Sequence, residues 1–110
     1  MPLSKSLLLS TLALMTATAF AQSDTVVKGV VTDSMCGMHH MIQNVTPAEC
    51  TRRCVKDGST YALAVNGKVY ALKAQGTNVS FDKFAGQTAT VKGQVNGTTI
   101  LVKSITAGKS

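Results

Sequence analysis

The sequence has three cysteines but no C-x-x-C motif, and this absence excludes two kinds of redox protein. A thioredoxin-like site needs C-x-x-C within a βαβ unit, and covalent attachment of a c-type haem needs C-x-x-C-H. The sequence also offers no orienting carboxylate or oxyanion loop that would support a nucleophilic cysteine. We therefore predict that the protein is not an enzyme.

Long apolar runs are also absent. The run from Leu7 to Met15 is shorter than the roughly 18–20 apolar residues of a transmembrane helix, and serine and threonine interrupt it. Lys5 precedes this run and the small-x-small triplet Ala19-Phe20-Ala21 follows it, which is typical of a cleavable export signal. We expect residues 1–21 to be a cleavable signal peptide, with no membrane anchor after it, and the product to be periplasmic or secreted.

Acidic residues are scarce, because five Asp+Glu stand against 11 Lys+Arg, for a formal net charge of +6. The basic side chains are scattered, apart from Arg52, Arg53 and Lys56. This charge favours contact with acidic surfaces without identifying one. Residues 22–110 are enough for one small domain and too few for two, so we predict a single domain there.

Five segments of that domain have the β-branched or alternating composition of strands, namely residues 25–32, 61–65, 68–72, 88–95 and 98–103. Asn66-Gly67 and Asn96-Gly97 are the residue pair that type I′ hairpin turns prefer. The first turn places Leu63 opposite Tyr70. The second places Val91, Val95, Ile100 and Val102 on one face.

A short helix is predicted between the first two strands. Thr46 supplies an N-cap, Pro47 the first helical position and Glu49 the third residue after the cap, and the pattern ends near Lys56. Residues 80–86 predict one helical turn that brings Phe81 and Phe84 to the core.

Gly29 and Gly93 stand in the middle of strands, which often marks a bulge or a sharp bend in a small barrel. Five strands with two such bends predict a mainly β protein, a small five-stranded barrel of the oligonucleotide/oligosaccharide-binding (OB) type. The short helix that bears two cysteines is then inserted after the first strand.

The stretch MCGMHHM, residues 35–41, places six sulfur or imidazole side chains in seven positions. Cys36 and His39 form a C-x2-H pair on a loop. Cys50 and Cys54 are four residues apart, so both sulfurs project from one face of the predicted helix. Together these residues predict a closed Cys3His metal site.

The ion is zinc or copper. The ligand count favours zinc, whereas thioether neighbours favour monovalent copper, and Met38 or Met41 would then join the site. His40 is a second candidate for the histidine ligand, and either histidine can also be considered for non-covalent haem.

The alternative is a disulfide between Cys36 and either Cys50 or Cys54, since small exported domains often use a disulfide to compensate for a thin core. The barrel would then be a binding module, with Tyr61 and Tyr70 on its ligand face. Export makes nucleic acid an unsuitable ligand, so a glycan or an envelope protein is the expected partner.

The residues Asp33-Ser34-Met35-Cys36-Gly37-x-x-His40, followed by Glu49-Cys50-Thr-Arg-Arg-Cys54 and glycine-bearing strands, carry a family resemblance. The chain resembles a family of small exported bacterial proteins of uncharacterised function, with a D-S-x-C-G-x-x-H motif and a C-x-x-x-C pair before an OB-like β-barrel. The resemblance spans roughly residues 26–106. It implies a shared cysteine and histidine site, with His40 at the motif's histidine position.

Overall fold

The computed structural model describes residues 24–37 and 44–108. Its elements are, in chain order, β1 (Thr25–Asp33), α1 (Pro47–Lys56), β2 (Tyr61–Val65), β3 (Lys68–Ala74), a 3₁₀ turn (Asp82–Phe84), β4 (Thr88–Asn96) and β5 (Thr99–Ala107). The predicted signal peptide and the segment 38–43 lie outside the described residues. Within the described ranges, no helix is both long enough and apolar enough to cross a membrane.

The five strands close into a barrel in the order β1-β2-β3-β5-β4. The strands β3 and β5 pair in parallel, while the other neighbours are antiparallel. The predicted mainly β, OB-like five-stranded barrel is therefore confirmed, as is the helix inserted after the first strand.

Two mid-strand glycines allow the barrel to close. The strand β1 pairs with β4 through residues 25–30 and with β2 through residues 30–33. Gly29 lies beside this change of partner, where a Cβ atom would collide with the backbone oxygen of Ala64. A Cβ atom at Gly93 would collide with the backbone oxygen of Leu101, and the β4–β5 register shifts between Lys92 and Gly93. The predicted irregularity is confirmed at Gly93, and at Gly29 the absence of a side chain permits the close approach of β2.

The two hairpin turns differ. Asn66 and Gly67 both have positive φ angles, 47° and 84°, as a type I′ turn requires. In the second hairpin Asn96 still pairs with Thr99, so Gly97 is the first central residue, with φ 64°. Glycine first is the pattern of a type II′ turn, and the predicted Asn-Gly turn is wrong there.

The barrel core consists of eight buried apolar side chains, those of Val31, Leu63, Leu72, Phe81, Ala89, Val91, Ile100 and Val102. Leu63 lies opposite Tyr70, as predicted. Val95 lies opposite Ile100, so the two share a face as predicted. Val95 is nevertheless 41% exposed, because it lies only two residues before the turn, near the end of the barrel. The 3₁₀ turn places Phe81 in the core and Phe84 against it.

Candidate metal centre

The helix α1 begins as its sequence predicts. The Thr46 hydroxyl accepts a hydrogen bond from the Glu49 backbone N–H at 3.1 Å, and Pro47 occupies the first helical turn. Cys50 is fully buried and Cys54 is 8% exposed, whereas Arg52 and Arg53 are exposed. The helix therefore turns both sulfurs inward and its charges outward.

Contacts to the 3₁₀ turn hold α1 against the barrel. The Arg52 guanidinium donates to the Asp82 carbonyl at 3.0 Å and lies 3.4 Å from its carboxylate. The Tyr61 hydroxyl donates to the same carboxylate at 2.7 Å. Gly86 has φ +74°, and a Cβ there would lie 2.6 Å from the Ala48 backbone nitrogen. Glycine at this position therefore lets the helix approach the barrel closely.

A tight turn at the end of β1 positions Cys36. The Oδ2 atom of Asp33 accepts hydrogen bonds from the backbone N–H groups of Met35 at 3.1 Å and Cys36 at 3.0 Å. The Gly37 N–H donates to the Asp33 carbonyl at 2.8 Å, and Gly37 has φ +55°, a conformation that glycine adopts without strain. The D-S-x-C-G motif is thus an aspartate-capped turn that directs the Cys36 side chain inward.

The segment after α1 joins this turn. The Ser59 hydroxyl donates to the Oδ2 of Asp33 at 3.3 Å and lies 3.0 Å from the Ser34 hydroxyl. The Ser34 N–H donates to the Thr60 carbonyl at 2.8 Å. One hydrogen-bond network therefore joins the turn that bears Cys36 to the segment that follows α1, the helix that bears Cys54.

These elements bring three sulfur atoms together. The Sγ of Cys36 lies 3.5 Å from that of Cys50 and 3.4 Å from that of Cys54. All three Sγ atoms lie within 4.8 Å of one another, and all three residues are buried. A disulfide bond is about 2.05 Å long, so none of the cysteines, all of which are described, is joined to another in this structure.

The spacing of the sulfurs suits a small soft cation. A tetrahedral ion with metal–sulfur bonds of about 2.3 Å separates its sulfur ligands by about 3.8 Å. The observed separations from Cys36, 3.5 and 3.4 Å, need to open by only a few tenths of an ångström. Thiolate is the ligand that zinc and monovalent copper share, so the three residues fit either ion.

A buried carboxylate lies beside the sulfurs. Asp33 is fully buried, and its Oδ1 has no hydrogen-bond partner among the described residues. The ion pairs found in the described part of the chain involve Asp82 and Asp24 instead. A buried acceptor without a partner costs about 1–3 kcal/mol, and more when it is charged.

The surroundings also determine the state of Cys54. Burial raises the pKa of the Cys54 thiol most, and the hydrogen bond with Cys36, the charges of Asp33 and Cys36, and a hydrogen bond with the Asp33 side chain add to it, so that the pKa reaches about 12. Without a cation, the thiol is therefore protonated near neutral pH. Metal ions bind thiolates, so binding must displace this proton.

The structure brings together the three predicted cysteine ligands, Cys36, Cys50 and Cys54. The other predicted ligands, His39, His40, Met38 and Met41, lie outside the described residues. Tyr61 and Tyr70 are half-buried and pack against the barrel core. The role of Asp33 was not predicted, although aspartate at the start of a turn commonly accepts hydrogen bonds from the backbone N–H groups that follow it.

No protein-family model, curated protein or solved structure matches this chain.

Proposed function

We propose that this protein is an exported metal-binding protein that holds one zinc or copper ion through Cys36, Cys50 and Cys54. The observation that supports the proposal is the convergence of three buried thiols, all within 4.8 Å of one another.

The fourth ligand is His39 or His40, in the segment that follows Cys36 in the sequence. Three thiolates and one imidazole form a closed tetrahedral zinc site, which is a structural arrangement without an open position for substrate. With copper, Met38 or Met41 joins the site. Because the ligands come from a loop and a helix, the ion stabilises the fold in this region, and its role is structural or metal handling.

Native mass spectrometry tests the proposal. The full chain is expressed, and the processed form is purified from the cell envelope anaerobically, without chelator. We expect the mass of a chain without residues 1–21 plus one zinc or copper ion, and three alkylated thiols after denaturation. Cys50→Ser and Cys54→Ser should each lose the ion, because each removes one of three sulfur ligands.

Thr51→Ala is the matched control. Thr51 is fully buried on the same helix, between the two cysteines, so its truncation disturbs helix packing without removing sulfur. The metal content of this variant should stay at one ion per chain. His39→Ala and His40→Ala then identify the fourth ligand, since only one of them should weaken binding.

One result would refute the proposal, namely a mass two units low with a single alkylated thiol, and no ion taken up after reduction and anaerobic incubation with Zn²⁺ or Cu⁺. The cysteines would then form a disulfide that links the loop to the helix. The search for function would move to the barrel surface around Tyr61 and Tyr70 and to a glycan or envelope protein partner.

A further inference from the structure

The turn at the end of β1 does not require the charge of Asp33. Its Oδ2 accepts the hydrogen bonds from Met35, Cys36 and Ser59, and the side-chain carbonyl of an asparagine accepts the same bonds. The second oxygen, Oδ1, is buried without a partner among the described residues. An asparagine would form the turn without burying a charge, so the carboxylate needs a reason outside the turn.

The charge of the metal complex supplies that reason. Three thiolates with a divalent ion carry a net charge of −1, and the same thiolates with a monovalent ion carry −2. A neutral histidine as fourth ligand changes neither value. A fixed negative charge nearby repels both complexes, and in a buried site water and salt screen this repulsion only weakly. The repulsion of the monovalent complex is therefore about twice that of the divalent complex.

We propose that the buried carboxylate of Asp33 sets the ion preference of the three-cysteine site, favouring a divalent soft ion such as Zn²⁺ over monovalent Cu⁺. This inference rests on the proposed function. It is supported by the position of the buried Asp33 side chain, whose Oδ2 lies 3.0 Å from the backbone nitrogen of Cys36, one of the three sulfur ligands. Asp33 is thus a specificity-determining residue that need not contact the ion.

Asp33→Asn tests the inference in the full chain. Dissociation constants for Zn²⁺ and Cu⁺ are measured at pH 7 under anaerobic conditions, by competition with chromophoric chelators. The variant should bind Cu⁺ more tightly relative to Zn²⁺, with the ratio of the two constants shifted by about tenfold or more. An effect on turn geometry alone would weaken both ions together and leave the ratio unchanged, which would overturn the inference.

Asp57→Asn is the matched control, because it removes one carboxylate from the exposed end of α1 and should leave the ratio within twofold of the wild-type value. Ser59→Lys is the second variant, useful if Asp33→Asn does not fold. The Ser59 hydroxyl lies 3.3 Å from Oδ2 of Asp33, so an ammonium group there offsets the charge. It should shift the ratio towards Cu⁺ as well, and an unchanged ratio contradicts the role of charge.

The outcomes separate the two proposals. If the wild-type protein binds one ion and the ratio does not move in Asp33→Asn or Ser59→Lys, the inference about Asp33 fails while the metal site stands. If the reduced wild-type protein binds neither Zn²⁺ nor Cu⁺, the proposed function itself fails, and the inference with it.

Discussion

The barrel core and the cysteine cluster are both buried, yet different forces hold them together. The core contains eight apolar side chains with no polar atoms, so the removal of hydrocarbon surface from water stabilises it without a cofactor. The cluster contains Cys36, Cys50 and Cys54, and among the described residues Val45 is the one partly buried apolar side chain packed against it. It also adjoins Asp33, whose Oδ1 lacks a partner among the described residues.

This difference predicts that the barrel folds on its own, whereas the cysteine region could hold a cation, as proposed above. The two regions are nevertheless contiguous, because β1 contributes Val31 to the core and ends at Asp33, which forms the turn before Cys36. A rigid barrel strand thus fixes one ligand, while a docked helix supplies two others. Metal binding should depend on the barrel, whereas the barrel should depend little on metal.

The largest effect is expected from a cavity in the barrel. Leu63 is fully buried, so Leu63→Ala should lower the free energy of unfolding by about 2–5 kcal/mol, through lost burial and the cavity left behind. Urea denaturation followed by far-UV circular dichroism measures the change. We expect the same loss in metal-free and metal-loaded protein, since the cavity lies in the core rather than among the sulfurs.

Val26→Ala is the control for this comparison, because Val26 is 64% exposed and its truncation should change stability by less than about 0.5 kcal/mol. If metal cancelled the loss in Leu63→Ala, or if metal-free wild-type protein had no cooperative transition, the separation of the two regions would be wrong. The barrel would then fold only together with the metal site.

Local signals in the sequence were enough for most of the barrel. The Asn66-Gly67 turn and the alternation on either side of it fix the first hairpin within a few residues. The sequence did not predict that β5 continues to Ala107, because its last residues are paired only through distant β4, where Ala107 meets Ala89. For the same reason, the exposure of Val95 depends on where the barrel ends, which no local pattern encodes.

The same distinction between local sequence signals and long-range packing applies to the cysteine site. The pair Cys50 and Cys54 follows from helical spacing alone, and their meeting with Cys36 was predicted from the ligand count. The importance of Asp33 could not be predicted, since its burial arises only when β1, the turn and α1 are packed together. The sequence shows a capping aspartate there, and three-dimensional packing makes it a buried charge.

A smaller effect is expected from alanine substitution of two glycines, one in each region. Gly37 and Gly67 both have positive φ angles, and a Cβ at either position meets nothing closer than ordinary contact. Each alanine substitution should therefore lower the free energy of unfolding by about 1–2 kcal/mol, through backbone strain alone. Only Gly37→Ala should also weaken metal binding, because only Gly37 belongs to the turn that positions Cys36.

Thermal unfolding and chelator competition measure the two effects. Gly37→Asn should recover part of both losses, since asparagine tolerates the left-handed conformation better than alanine does. Equal metal affinities in Gly37→Ala and Gly67→Ala would show that the turn does not position the site.

The smallest effect is the response of the metal-free protein to alkaline pH. The pKa of Cys54 is raised from 9.0 to about 12 in the folded protein, so the folded state holds a proton that the unfolded chain releases. The resulting stability is complete below pH 9 and is lost as the pH rises from 9 towards 12. Between pH 8 and pH 10, metal-free wild-type protein should lose about 1 kcal/mol more than Cys54→Ser, as measured by urea denaturation.

Tyr61 shows that this alkaline response is not confined to the cysteine cluster. Burial and the hydrogen bond to Asp82 raise its pKa from 10.0 to about 12, so it adds a loss of the same sign above pH 10. Tyr61→Phe removes that part in metal-free and metal-loaded protein alike. Metal loading should abolish only the Cys54 part, because the bound thiolate has no proton left to lose. A Cys54→Ser variant with the full wild-type response would instead assign the whole response to the barrel.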